Sequence, residues 1–187
     1  MMPPRSIPTR AVEAVWKIAR ASSAHVSHTG GVGVDGDPDF KPPRIFMGSL
    51  LDKGPIPLLP PQLHIYHPIA GRRIIGTSGI DNRDFDVELE YFFPLTFAGV
   101  VQPGENHLVD WLEALVNEVI RGARPRHPAG ILADPDHPVS ATQAPMITTG
   151  IADVAYHPLV ARSDSLVAYA TIAFTTKEDA EGRRPYE

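Results

Sequence analysis

The sequence predicts an α+β protein of two layers: an antiparallel or mixed sheet of about five strands, with two main helices packed on one face and long Pro/Gly-rich loops. Three observations predict it. The apparent order is one helix, about three strands, a second helix and two strands, which is the order of an α+β fold rather than a βαβ repeat. Residues 84–91 read Asp-Phe-Asp-Val-Glu-Leu-Glu-Tyr, the period-two alternation of a half-buried strand. Residues 106–121 place Leu108, Trp111, Leu112, Leu115, Val116 and Val119 on one stripe, the i, i+3, i+4, i+7 spacing of a helix lying against a core.

Residues 1–9 read as an extended arm, with Pro3, Pro4 and Pro8 opposing a helix and Arg5 and Ile7 between them. Ser6 or Thr9 supplies a cap for a helix over 10–21, striped by Val12, Val15, Trp16 and Ala19. Residues 22–43 are rich in Gly, Ser, Asp and Pro and read as a loop. An apolar run over 44–50 predicts a short strand, and 52–61 is loop again. Leu63 and Ile65 alternate with His64 and Tyr66, which predicts a strand over 62–67. Residues 72–75 extend or pair with a neighbouring strand.

The strand over 84–94 puts Phe85, Val87, Leu89 and Tyr91 on one face and Asp84, Asp86, Glu88 and Glu90 on the other. The second helix carries Asp110 and Glu113 early and Arg121 late, in the sense the helix dipole favours, and Gly122 marks its end. After a loop to Pro145, strands over 146–157 and 165–176 form a hairpin. The second strand has one apolar face (Leu166, Ala168, Ala170, Ile172, Phe174) and one half-polar face, so it reads as covered on both sides. His-Pro recurs at 67–68, 127–128, 137–138 and 157–158 without a period, and two of these dipeptides end predicted strands.

The 187 residues suit a single domain, with the arm at 1–9, the core at 10–176 and a charged, flexible tail at 177–187. A chain of this size buries roughly 70% of its unfolded surface and needs no staple. A net charge of −5 argues against general attraction to DNA phosphates or anionic membranes. The absence of cysteine excludes disulfides, thiolate metal sites and cysteine catalysis. No apolar run reaches the ~20 residues of a membrane span, and residues 1–10 lack the apolar segment of a signal peptide. Twenty prolines, about twice ordinary usage, predict many fixed, extended connections.

No motif specifies a reaction. His25-x-x-His28, followed by Asp35, Asp37 and Asp39, offers metal-binding residue types on a loop. His64 and His67 lie three apart on a strand and so point to opposite faces. The Asp35–Asp39 run lacks the glycine and glutamate positions of a calcium loop, and Gly30-Gly31-Val32-Gly33 lacks the strand and Lys-Ser/Thr of a phosphate loop. Gly76-Thr77-Ser78-Gly79 lacks the spacing of a nucleophile elbow. Paired acids serve glycosidases, but four carboxylates on one strand without clustered aromatics read as a solvated face. Trp16 and Trp111 lie on helical apolar stripes and read as core anchors.

In its layout the chain resembles the tail terminator and tail-completion proteins of long-tailed bacteriophages. The resemblance runs from residue 10 to 176: a helix over 10–21, a Gly-rich loop and short strands, an alternating strand over 85–91, a helix over 108–120 and a β-pair over 146–174. The loops 22–43 and 122–145 are longer than that family's. The resemblance implies a structural virion protein rather than an enzyme, without a cofactor. It would be assembled in the host cytoplasm into a ring, typically a hexamer, that caps the growing tail tube and joins it to the head. Its partners would be copies of itself, the tail tube protein and head–tail connector proteins.

On that footing Asp84, Asp86, Glu88 and Glu90 would line a channel that DNA crosses without specific binding, since carboxylates repel phosphates. Pro3, Pro4, Arg5, Ile7 and Pro8 would form an inter-subunit arm, ordered at low cost because proline already restricts the free chain. A connector or adaptor of the same joint is the alternative reading. A small metal-dependent α+β enzyme or ligand-binding domain, using His25, His28, Asp35, Asp37 and Asp39, is the alternative of another class.

Overall fold

The computed structural model describes residues 6–22, 44–48, 62–68, 71–76, 80–94, 105–123, 146–162 and 165–179. They form helix α1 (Ile7–Ala21), strands β1 (Arg44–Met47), β2 (Gln62–Tyr66), β3 (Gly71–Ile74) and β4 (Ile80–Pro94), helix α2 (Glu105–Ala123), and strands β5 (Met146–Arg162) and β6 (Ser165–Asp179). The architecture is α+β, with helices packed on a mixed sheet of six strands.

Helix α1 begins earlier than the sequence predicts. Ser6 is its N-cap, in an extended conformation (φ −65°, ψ 155°), and its Oγ accepts from the Thr9 backbone N–H at 3.4 Å. Pro8 falls in the first turn, where no intrahelical N–H is required and the fixed φ of proline suits the helix. The expected arm is therefore corrected at its inner end. Ile7 and Pro8 are helical and buried, and Ile7 belongs to the core. Pro3, Pro4 and Arg5 lie outside the described residues.

The strand order is β1-β2-β4-β6-β5, with β3 also paired to β4. β1 and β2 are parallel, and every other pairing is antiparallel. β4 organises the sheet. Along its whole length it pairs with β6. On its other side β2 takes the C-terminal half (Tyr66↔Glu88 to Gln62↔Phe92) and β3 the N-terminal half (Gly71↔Phe85 to Ile74↔Asn82). Gly71 is required at that pairing, because a Cβ there would stand 2.6 Å from the Asp84 carbonyl oxygen.

Alternation along the strands builds the core. Phe85, Val87, Leu89 and Tyr91 of β4, Leu63 and Ile65 of β2, and Ala168, Ala170, Ile172 and Phe174 of β6 face the helices and are buried. Ala11, Val15 and Ala19 of α1 and Leu112, Leu115, Val116 and Val119 of α2 close over them. α1 lies against β1, β2 and β4, whereas α2 lies against β6 and β5, so the helices divide the face between them. Phe85 and Phe174, opposite in register, stack with centroids 5.4 Å apart and planes 12° from parallel. Each buried large side chain of this set contributes about 1.5–3 kcal/mol relative to exposure.

Further boundaries differ from the sequence expectation, among them the start of β4, at Ile80 rather than residue 84. α2 runs through Gly122, where a Cβ would sit 3.1 Å from Ile18 Cδ1, so this glycine serves helix packing rather than termination. β5 continues past His157-Pro158 to Arg162, with its register shifting between His157 and Val160. A proline is tolerated because β5 is the outermost strand of the order and the irregularity takes it up. β6 continues to Asp179, where Lys177, Glu178 and Asp179 pair with Asn82, Asp81 and Ile80, so the tail begins three residues later than expected.

Candidate functional site

The face of the sheet opposite the helices holds the acidic column. Asp84, Asp86, Glu88 and Glu90 occupy alternate positions of β4, as the alternation predicts, but their surroundings differ. Asp84 is exposed, Asp86 and Glu88 are half-buried, and Glu90 is only 5% exposed. The expected wall of four solvent-facing carboxylates is thus corrected to three, because Glu90 is withdrawn from water.

Register explains the gradient. Asp84 stands between Arg72 of β3 and Thr175 of β6, in a stretch where β3 is exposed throughout. Glu88 stands between Tyr66 and Thr171, and Glu90 between His64 and Tyr169. The Tyr66 hydroxyl donates to the Glu88 carboxylate. Burial raises the ionisation of Tyr66 far above the usual phenol range, and the bond to Glu88 and the charges of Glu90 and Glu88 add to the effect.

Beside Glu90 the face closes into an aromatic box. The His64 ring stacks on Phe46 (5.2 Å, 18°) and meets Phe92 edge-on (5.7 Å, 88°). Nδ1 lies 3.1 Å from the Gly48 carbonyl oxygen and Nε2 lies 3.1 Å from the Gln62 side-chain amide. A carbonyl only accepts, so Nδ1 carries a proton and donates to Gly48. His64, Gln62, Glu90, Phe92 and Val167 are all buried on this side of the sheet. His64 therefore acts as a structural plug, and the box came to light only from the register, since its members come from β1, β2 and β4.

His67 points elsewhere, with Nδ1 donating to the Asp86 carbonyl oxygen at 3.0 Å and its ring edge-on to Phe85. The two histidines do not share a site, as their spacing predicts. Among the described residues no group of three or more His, Asp and Glu could hold a metal ion. His25, His28, Asp35, Asp37 and Asp39 lie outside the described residues, as does the glycine run at 30–33. Trp16 is half-buried, packs against the core and donates its indole N–H to the Ile45 carbonyl at 3.3 Å, with the Arg20 guanidinium 4.7 Å over its ring. The side chain of Trp111 is not among those described.

At the far end of the sheet is a polar cluster that periodicity could not reveal. Arg73 of β3 binds Asp81 of β4 through Nε and Nη2, and the Gly76 backbone N–H donates to the other oxygen of the same carboxylate at 3.1 Å. These bonds hold the Asp81 carboxyl below its usual range, with the Arg73 hydrogen bonds as the largest cause. The cluster pins the β3–β4 hairpin. That cluster stands on the helix side of the sheet, since Arg73 pairs with Arg83, which is in phase with Phe85. The acidic-column face also sets His157 Nε2 2.9 Å from Thr171 Oγ1, an exposed imidazole–hydroxyl pair. Comparison with protein-family models and with curated proteins finds no match for the chain.

Proposed function

We propose that this protein is a ring-forming structural subunit of the phage tail terminator type, which stops growth of the tail tube and joins the tail to the head. One observation carries the reading: both helices cover the same face of the sheet, leaving the Asp84, Asp86 and Glu88 column on the other face. Such a layout buries a core on one side and offers a charged sheet surface and its edges for assembly. A heterologous contact that repeats around an axis closes into a ring, for which six copies is the order we propose. Lining the lumen, the three surface carboxylates would repel DNA phosphates and let the genome pass without specific binding.

On this reading the protein works without catalysis or cofactor, assembles in the host cytoplasm and ends in the virion. Its partners are further copies of itself, the tail tube protein and the connector proteins of the head. A connector or adaptor of the same joint is the neighbouring reading, and it differs in which partner is held. Among the described residues, no helix is long and apolar enough to cross a membrane.

The test is native mass measurement and electron microscopy of the purified chain, followed by addition to polymerising tail tubes. Closed rings that halt tube growth are the expected result. Rings that bind only the portal side favour the adaptor. A chain that stays monomeric, or a ring whose channel does not contain Asp84, Asp86 and Glu88, overturns the corresponding part of the proposal.

A further inference from the structure

We propose that copies join by sheet addition: β3 of one copy pairs antiparallel with the outer edge of β5 in the next, with Arg72 facing Asp153 across the junction. This rests on the ring reading above and names the contact that builds the ring.

The edges are the first observation. Among the described residues β3 pairs only with β4, and β5 only with β6. At this end of the sheet Arg72, Asp84, Thr175 and Gly150 form one row across β3, β4, β6 and β5, so β3 and β5 are its outer strands. Residues 71–75 are exposed, and so are 152, 153, 155–158 and 160. An outer strand in this state offers backbone donors and acceptors to another chain, the Val154 N–H apart, which donates to Asp153 Oδ1 at 2.8 Å. The remaining outer strand, β1, is short and already engaged by the Trp16 indole at the Ile45 carbonyl.

Polarity and face are the second. Successive antiparallel pairings make β3 run opposite to β5. A copy added edge to edge by rotation therefore continues the antiparallel pattern. Arg72 lies on the non-helical face, level with Asp84. Asp153 pairs with Ala173, which pairs with Asp86, and so lies on that same face two rows away. A stagger of two rows is even, so Gly71 and Arg72 keep the faces of Val154 and Asp153; the bulge between Ile151 and Asp153 ends the regular ladder on the other side of this pair. Closed arrays of tilted strands require stagger.

Charge selects the occupant. Residues 71–75 read Gly-Arg-Arg-Ile-Ile, with two cations and no acid, whereas residues 146–156 carry Asp153 as their only charge. A β3–β3 junction would bring like charges together, whereas β3 on β5 sets opposite charges facing. Ile74 (42% exposed) and Ile75 (80%) supply apolar surface for the same junction.

The experiment uses the full chain. Native mass measurement across a dilution series compares the natural protein with Arg72→Asp, Asp153→Arg and the double exchange. Each single variant should raise the concentration for half-assembly roughly fivefold or more, and the double should recover it. Both positions are exposed, so Asp153→Arg should change melting little, whereas Arg72→Asp also faces Asp84 within its own hairpin and should lower it slightly. Because the chain has no cysteine, Arg72→Cys combined with Asp153→Cys gives an independent readout: oxidation should yield covalent ladders beyond the dimer. Rings that form equally well in the single variants, no recovery in the double, or no ladder overturns this contact while leaving the ring reading intact. A two-copy species sensitive to Asp153→Arg alone marks β5–β5 pairing and overturns it as well. A natural protein that never assembles overturns both.

Discussion

Asp81 receives Arg73 on one carboxylate oxygen and the Gly76 backbone N–H on the other, so a single side chain ties the C-terminal end of β3 and the turn after it to β4. The carboxylate is 4% exposed while Arg73 remains one-third exposed. The pair thus links a surface cation to an acid held inside the hairpin.

The folded state holds the Asp81 carboxyl below its unfolded value, so its contribution to stability is fully present above about pH 4 and is lost as pH falls through the lower, folded value. Asp81→Asn should therefore be less stable than the natural protein at neutral pH. The difference should shrink steadily below about pH 4. Urea midpoints measured as a function of pH check this; a difference independent of pH would mean that the charge of Asp81 is not what stabilises the hairpin.

The alkaline limb has the opposite sign. The folded ionisation of Tyr66 is raised by burial, by its bond to Glu88 and by neighbouring acids. Its stabilising effect is complete below the unfolded phenol value, about pH 10, and declines as pH rises beyond that. Tyr66→Phe should flatten the loss of stability above about pH 10. Tyrosinate absorbance during alkaline titration should show Tyr66 and the fully buried Tyr91 ionising with unfolding rather than before it.

Carboxylates of one column should differ sharply in cost. Glu90 is buried opposite His64, and Asp84 is exposed opposite Arg72. Glu90→Ala should destabilise by about 1–3 kcal/mol, since it strips a buried polar group from its neighbours. Asp84→Ala should remain within about 0.5 kcal/mol. Equal denaturation midpoints for the two variants would contradict the gradient.

Truncation separates the arm from the helix. Removing residues 1–5 spares the Ser6 cap and the buried Ile7, so the fold should keep its melting temperature while assembly weakens if Pro3, Pro4 and Arg5 reach a neighbour. Removing residues 1–9 also deletes the cap, Ile7 and Pro8. It should cost about 3 kcal/mol or more, by adding a lost cap to a lost core side chain. Thermal melts and sizing of both truncations distinguish the two effects.

Much of this fold was legible in the sequence. The period-two run at 84–91 and the stripe at 106–121 identify β4, α2 and their buried sides without any tertiary information, because backbone geometry alone decides which side chains share a face. Pro8 and Gly122 misled at the boundaries for a related reason. Proline forbids a helix interior but suits a first turn, and whether a glycine ends a helix or admits a neighbour depends on what approaches it, here Ile18.

The sequence by itself determined that Asp84, Asp86, Glu88 and Glu90 stand on one side of a strand and Phe85, Val87, Leu89 and Tyr91 on the other. Only the tertiary structure decided that these four acids are not equivalent. β3 borders the first half of β4 and leaves Asp84 in water, whereas β2 borders the second half and sets Glu90 beside the boxed ring of His64. The difference lies in register, which sets Arg72 beside Asp84 and His64 beside Glu90 from separate strands and leaves no trace in local periodicity.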